Sequence, residues 1–296
     1  MILQGDIQTF NGLTFNSGNA AGGTGTNFYK IQGYQGLTNG AQTGRLQLAG
    51  ASNVITTASN VEAAIAADLV GTNGLVKEGI GQLGVLRTTN NLSGTIDVKA
   101  GTLTFGNSTQ LTNANVVVRS NAVLDGVGTI NNLSIQSGAT HVIGSGNRTY
   151  ANELNGSLFV EGDAIYDPGT TLIWSLRANT NVQTINTNTG AYSFSSINVG
   201  GNLSIGTNTT LRLNFLDGVN WADSFWGSSQ TNSLTSSNGW LVFGTGLTNT
   251  VFPTLSATNT WIDSGSNSLA SVRGTNATFY LTNVAGNIYL NYLYNN

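Results

Sequence analysis

The chain contains no cysteine, so no disulfide framework and no thiolate metal site is available to it. Charge is nearly as scarce. Asp, Glu, Lys and Arg make up 8% of the residues, far below the roughly one quarter of an average soluble protein. The seven Arg and three Lys are scattered singly between Lys30 and Arg273. A phosphate backbone needs clustered cations, so nucleic acid is not an expected partner. No apolar run approaches the ~18 residues of a membrane-spanning helix, and no heptad pattern persists. Proline occurs only twice, while 39% of residues are hydrophobic. A disordered chain combines low hydrophobicity with high charge or proline, so disorder is not expected. Met1-Ile2-Leu3 runs at once into Gln4, Gly5 and Asp6, without a basic stretch leading an apolar one. No secretion signal is read there, and the chain is expected to be a mature piece or a fragment of something longer.

What the chain does have is a repeated phrase. Alternating residues meet a glycine-centred turn, and a second alternating run follows. Ile96-Asp97-Val98, Lys99-Ala100-Gly101 and Thr102-Leu103-Thr104-Phe105 make the clearest copy. Leu133-Ser134-Ile135, Gln136-Ser137-Gly138 and Ala139 to Ile143 make another, and Leu158-Phe159-Val160, Glu161-Gly162-Asp163 and Ala164-Ile165-Tyr166 a third. Period-two alternation places one face of each strand in a core. Strands that turn and repeat in this way build a stack, an all-β solenoid. Matching positions recur at 20 residues from Val98 to Val118, 17 to Ile135 and 25 to Val160. At about 20 residues per coil this predicts on the order of seven rungs over residues 74–215. Upstream, Ile7 to Phe10 and Leu13 to Phe15 alternate around Asn11-Gly12, a hairpin-type signal. Gly22-Gly23-Thr24-Gly25 reads as a loop. Val61, Ile65 and Leu69 fit a short helix begun by Asn60, and equally two short strands. The reading divides the chain into first strands and rungs (1–73), the repeat region (74–215) and a C-terminal segment (216–296). That last segment carries Trp221, Trp226, Trp240 and Trp261 and ends in the alternating run Ile288 to Tyr294. It is expected to form an aromatic-rich β cap.

Two stretches resemble the autotransporter-associated β-strand repeat of bacterial surface proteins. The first is Gly74-Leu75-Val76-Lys77-Glu78-Gly79-Ile80-Gly81-Gln82-Leu83. The second follows from Asn90 through Ser93-Gly94-Thr95-Ile96 to Ala100-Gly101-Thr102-Leu103. The family pattern is Gly-Leu-x-Lys-x-Gly-x-Gly-x-Leu, a Gly-Thr strand, then Ala-Gly-Thr-Leu. Leu124-Asp125-Gly126-Val127-Gly128-Thr129-Ile130 and Ser137-Gly138-Ala139 look like the part that follows. The chain departs from the pattern at Leu83-Gly84-Val85-Leu86, which carries an extra glycine, and at Val142-Ile143-Gly144, where a Pro-Gly is usual. The resemblance covers roughly residues 61–215. It implies a right-handed parallel β-helix in an exported passenger region on or outside the bacterial surface, with Val61 to Leu69 as strands. The family's translocating barrel is not visible in this sequence.

Few residues invite chemistry. His141, the only histidine, lies in an alternating run and reads as a strand-face residue. Glu161, Asp163 and Asp167 form the one acidic cluster and are the candidate calcium ligands. Because Glu161 and Asp163 flank a turn glycine, solvated carboxylates are the plainer expectation. Asp217 and Asp223 flank Trp221, the candidate glycan contact, with a turn between strands as the alternative. Gly22 to Asn27 is similar to one degenerate calcium nonapeptide repeat. No catalytic residue and no cofactor is assigned. The expected role is structural or adhesive, at the cell surface or in an extracellular fibre. A polysaccharide-active β-helix enzyme and a glycan-binding module are the alternatives. Self-association through the strand-rich ends, Ile7 to Phe15 and Ile288 to Tyr294, and contact with surface glycans are the expected partnerships.

Overall fold

The protein is described by a computed structural model covering residues 2–3, 7–16, 26–33, 44–87, 89–106, 109–144, 156–184, 192–216, 218–227, 239–245, 254–255, 262–263 and 277–294. The Gly22–Gly25 loop and Trp261 lie outside the described residues. Most of the repeat strands hold three to six residues, too few to be stable alone. Each therefore gains its partners from the coil before and the coil after. Gly94–Val98 leads through a corner to Thr102–Phe105 and on to Gln110–Leu111, and Ala114–Val118 then lies beside Gly94–Val98 in register. The result is a three-sided parallel β-helix.

One face stacks Gly12–Phe15, Val54–Thr57, Leu75–Glu78, Gly94–Val98, Ala114–Val118, Leu133–Ile135, Ala164–Tyr166 and Leu203–Ile205, called here the second face. The third face runs unbroken from Ile2–Leu3 through Asn27–Gly33, Val61–Ala66 and the following coils to Thr210–Phe215 and Thr254–Leu255. The first face is in two parts. Ile7–Phe10 to Asn91–Leu92 form one sheet, and Gln110–Leu111 to Trp240–Thr245 begin another. Asn11–Gly12 is thus a corner and not a hairpin. Ile7–Phe10 pairs in parallel with Arg45–Leu48, and Gly12–Phe15 with Val54–Thr57. The single residue between the two strands turns the chain from one face to the next.

Register puts like on like. Leu75, Ile96, Val116, Leu133, Ala164 and Leu203 form one inward column. Leu83, Leu103, Leu124, His141, Leu172 and Leu211 form another. All are buried. Val61–Ala66 and Asp68–Gly71 are strands, with Ala63, Ala64 and Ile65 fully buried, and Asn60 sits in a corner at φ 56°. The corner at Gly101 is also left-handed (φ 66°), and a Cβ there would come within 2.3 Å of the Gly81 carbonyl oxygen.

Coil length is not constant. Along the column Ile96, Val116, Leu133, Ala164, Leu203 the steps are 20, 17, 31 and 39 residues. The 25-residue step from Ile135 to Val160 is overturned. Ile135 pairs with Tyr166, and Val160 belongs to the first face. Among the described residues, longer chain segments between strands leave six second-face strands between residues 74 and 215 rather than about seven.

At the C-terminal end the pairing reverses. Trp240–Thr245 takes Asn287–Tyr294 antiparallel, and Asn287–Tyr294 makes a hairpin with Ala277–Val284. The two-residue turn, Ala285 (φ 51°) and Gly286 (φ 86°), has the positive dihedrals that such hairpins need. Trp174, Trp226, Trp240 and Tyr292 are fully buried here. Trp226 meets Tyr292 edge-on at 5.1 Å between ring centroids and Phe215 at 6.3 Å. Their polar ends are matched: the Trp226 indole N–H donates to Asn179, that of Trp240 to the Thr180 carbonyl, and the Tyr292 hydroxyl to the Trp226 carbonyl. Among the described residues no helix is long and apolar enough to cross a membrane.

Ile96 is fully buried between Leu75 and Val116. Ile96→Ala is expected to lower unfolding free energy by about 2–5 kcal/mol, read as a shifted urea midpoint. An unchanged midpoint would contradict a shared core across these coils.

Candidate functional site

The chemically reactive side chains lie mostly within the coil-to-coil columns. His141 occupies a leucine position, between Leu124 and Leu172. It is fully buried, and its Nδ1 lies 3.0 Å from the Tyr166 hydroxyl. Tyr166 itself stands inward between Ile135 and Ile205. The expected strand-face histidine is therefore on the inner side of its strand. Burial pushes its pKa down to about 3, so the ring is neutral near pH 7, and burial raises that of Tyr166.

Lys77 likewise stands in an inward column, between Ile55 and Val98. Its Nζ donates to the carbonyls of Glu78 (3.0 Å), Gly79 (2.7 Å) and Ala100 (2.9 Å), the last one coil away. Burial lowers the ammonium to about 8. Lys77 thus fastens one corner to the next.

Asp163 continues a ladder of asparagines. Asn115 Oδ1 accepts from the amides of Asn131 and Asn132, at 3.1 and 2.8 Å. Asn132 Oδ1 accepts the backbone N–H of Asp163 at 2.7 Å. Asp163 Oδ1 accepts the backbone N–H (2.7 Å) and the side-chain amide (3.2 Å) of Asn202. Glycine precedes the last two rungs because a Cβ on Gly162 or Gly201 would strike the ladder oxygen, at 2.1 and 2.4 Å. Glu161 shares this corner. Asp167 does not: it follows the strand Ala164–Tyr166, at the next corner. Three strand residues at about 3.3 Å each separate the two corners. Among the described residues no three His, Asp or Glu side chains group closely enough to hold a metal ion.

Trp221 is half-buried against the cap, 4.9 Å from the Phe215 ring and 4.4 Å from that of Trp226. Asp223 accepts the Phe225 N–H at 2.8 Å and so caps the short 3-10 helix Ser224–Gly227. Asp217 lies outside the described residues.

Two of the cavities among the described residues bear on function. A polar one of about 370 Å³ marks the break in the first face, between Asn91–Leu92 and Gln110–Leu111. Two of its lining groups are committed to each other: the Thr89 hydroxyl donates to Asp68 Oδ1 at 2.8 Å, and the same oxygen pairs with Arg87 at 3.2 Å. The larger, about 670 Å³, is an open groove on the outside of the first face beside the cap. Its centre is an outward column in register, Thr129, Phe159, Asn198 and Gly244. Leu241 and Asn287 of the cap and Glu161 of the corner line it. The sequence offered one signal for it, the outward Phe159 in an alternating strand, but the coil order that aligns its neighbours was hidden by the unequal loops.

Two further ion pairs join adjacent coils: Lys99 to Glu78 at 3.1 Å and Arg119 to Asp97 at 2.7 Å. Exposed pairs of this kind contribute at most about 1 kcal/mol each, so they fix register more than stability. Comparison with known protein families, with curated proteins and with solved structures gives no match to this chain.

His141 carries a pH prediction. Its pKa is about 3 folded and about 6.5 unfolded. The unfolded chain binds the extra proton first, so stability is complete above pH 6.5 and declines as pH falls toward 3. His141→Leu restores the leucine column and is expected to flatten that decline in urea titrations run from pH 7 to pH 4. An equal slope in both proteins would remove His141 as its source.

Proposed function

We propose that the chain is an exported structural or adhesive β-solenoid module, serving at a bacterial cell surface or in an extracellular fibre. One observation carries this reading: three side chains that could do chemistry are engaged in joining coils. His141 meets Tyr166, Lys77 holds the carbonyl of Ala100, and Asp163 holds Asn202. The ion pairs Arg87–Asp68, Lys99–Glu78 and Arg119–Asp97 also bridge neighbouring coils. Scaffolds of this type derive their stability from nearest-neighbour interfaces and fold by propagation, which suits threading through an export channel. The likeness of residues 61–215 to the autotransporter-associated repeat supports the same assignment. Lys77 and Gly101, two of its motif residues, perform coil-to-coil work here.

Association between copies belongs to this proposal. Asn287–Tyr294 has both edges paired, to Trp240–Thr245 and to Ala277–Val284. A copy adding at this end therefore meets Ala277–Val284, a strand of eight residues with no charge and no proline to discourage pairing.

Asp163 separates scaffold from polysaccharide-active enzyme. As a ladder acceptor it is replaceable by an amide. Asp163→Asn is expected to keep the unfolding midpoint, and Asp163→Ala to cost about 1–3 kcal/mol. Incubation with polyuronates should release no unsaturated product from any of the three proteins. Eliminative cleavage by the unaltered chain, lost in both variants, would overturn the scaffold reading. Protease shaving of intact cells expressing the gene with its native flanking sequence tests export; an epitope protected until lysis would refute surface display.

A further inference from the structure

We infer that the outward groove beside the cap binds an extended oligosaccharide. The inference goes beyond the scaffold reading and does not depend on it. The groove is a built feature of register. Thr129, Phe159, Asn198 and Gly244 fall on four successive coils of one sheet, so they form a straight row stepping about 4.8 Å per coil. The row ends at glycine, where a Cβ would sit 2.5 Å from Asn198 Oδ1. The site is therefore kept open beside the wall formed by Leu241 and Asn287. Its volume, about 670 Å³, lies in the range of small-ligand sites.

The lining chemistry selects the ligand. Phe159 is 49% exposed, which is unusual for a ring in the middle of a paired sheet. Around it, the Thr129 hydroxyl, the Asn198 amide and the Glu161 carboxylate make no side-chain hydrogen bond among the described residues. Asn287 uses its oxygen for the Thr245 N–H, and its amide nitrogen has no partner among the described residues. An apolar ring flanked by uncommitted donors and acceptors matches a pyranose, which presents a C–H face for stacking and a rim of hydroxyls. A straight glycan chain repeats at close to one coil, so successive sugars meet successive rungs. A peptide adding as a strand is disfavoured, because Ser157–Val160 is already paired on both sides. Cations are too few at the groove for a phosphate or sulfate polymer.

The test is a glycan array probed with the full chain, followed by calorimetric titration with cellotetraose, chitotetraose and maltotetraose. Binding of a straight-chain oligosaccharide is expected. Phe159→Ala and Asn198→Ala should each weaken it at least about tenfold with unchanged thermal melting. Ile165→Ala, an exposed position on another face, should leave it intact. No binding to any glycan, or binding indifferent to both groove variants, would overturn the proposal. So would a Phe159→Ala effect confined to sedimentation at high concentration, which would make the groove a contact between copies. None of these results would alter the expectations for Asp163, so the two readings fail separately.

Discussion

The stack depends on one constraint: each inward side chain has its counterpart directly above and below it. No coil has enough residues to bury a core alone, and only the neighbouring coils supply the missing walls. The column Leu75, Ile96, Val116, Leu133, Ala164 and Leu203 keeps its register although the chain between its members varies from 17 to 39 residues. Loop length is therefore free to change while strand register is not. A slip of one residue would turn every buried side chain outward.

The polar residues of the interior follow from the same constraint. A charge or an imidazole placed in such a column must find its partner within the stack, because water does not reach it. Lys77 finds three carbonyls at a corner, and His141 finds Tyr166. Outside the columns, corner amides and carboxylates align and bond along the axis, as from Asn115 to Asn202. Low charge is then a property of the architecture: like residues stack on like, and a column of equal charges would repel. The ends need a different solution. At the C-terminal end the antiparallel hairpin and its aromatic rings cover the last coils with area that no further rung provides.

Much of the fold was legible in the residues. Alternation gave the inward set, and the glycine-centred turns gave corners such as Gly101 and Gly138, both left-handed. The steps from Val98 to Val118 and from there to Ile135 are the true registers. The next step failed because Leu158-Phe159-Val160 has the same pattern as a second-face strand while lying on the first. Period-two alternation reports which side of a strand is buried and is silent on which face the strand joins. The Asn11-Gly12 pair misled for a related reason: a corner and a hairpin use the same turn residues, and only the distant partners, Arg45–Leu48 and Val54–Thr57, distinguish them.

The sequence by itself determined an all-β stack, an aromatic cover near its end, and the scarcity of charge that lets like rungs pile together. These are local properties, set by spacing and composition. The tertiary structure alone decided that His141 and Lys77 stand in apolar columns, that Asp163 acts as an amide would, and that Thr129, Phe159, Asn198 and Gly244 form one row. Each of these depends on pairing between residues one coil apart. With coils of unequal length, the neighbour of a residue is fixed by where the chain closes each turn and not by its distance along the sequence.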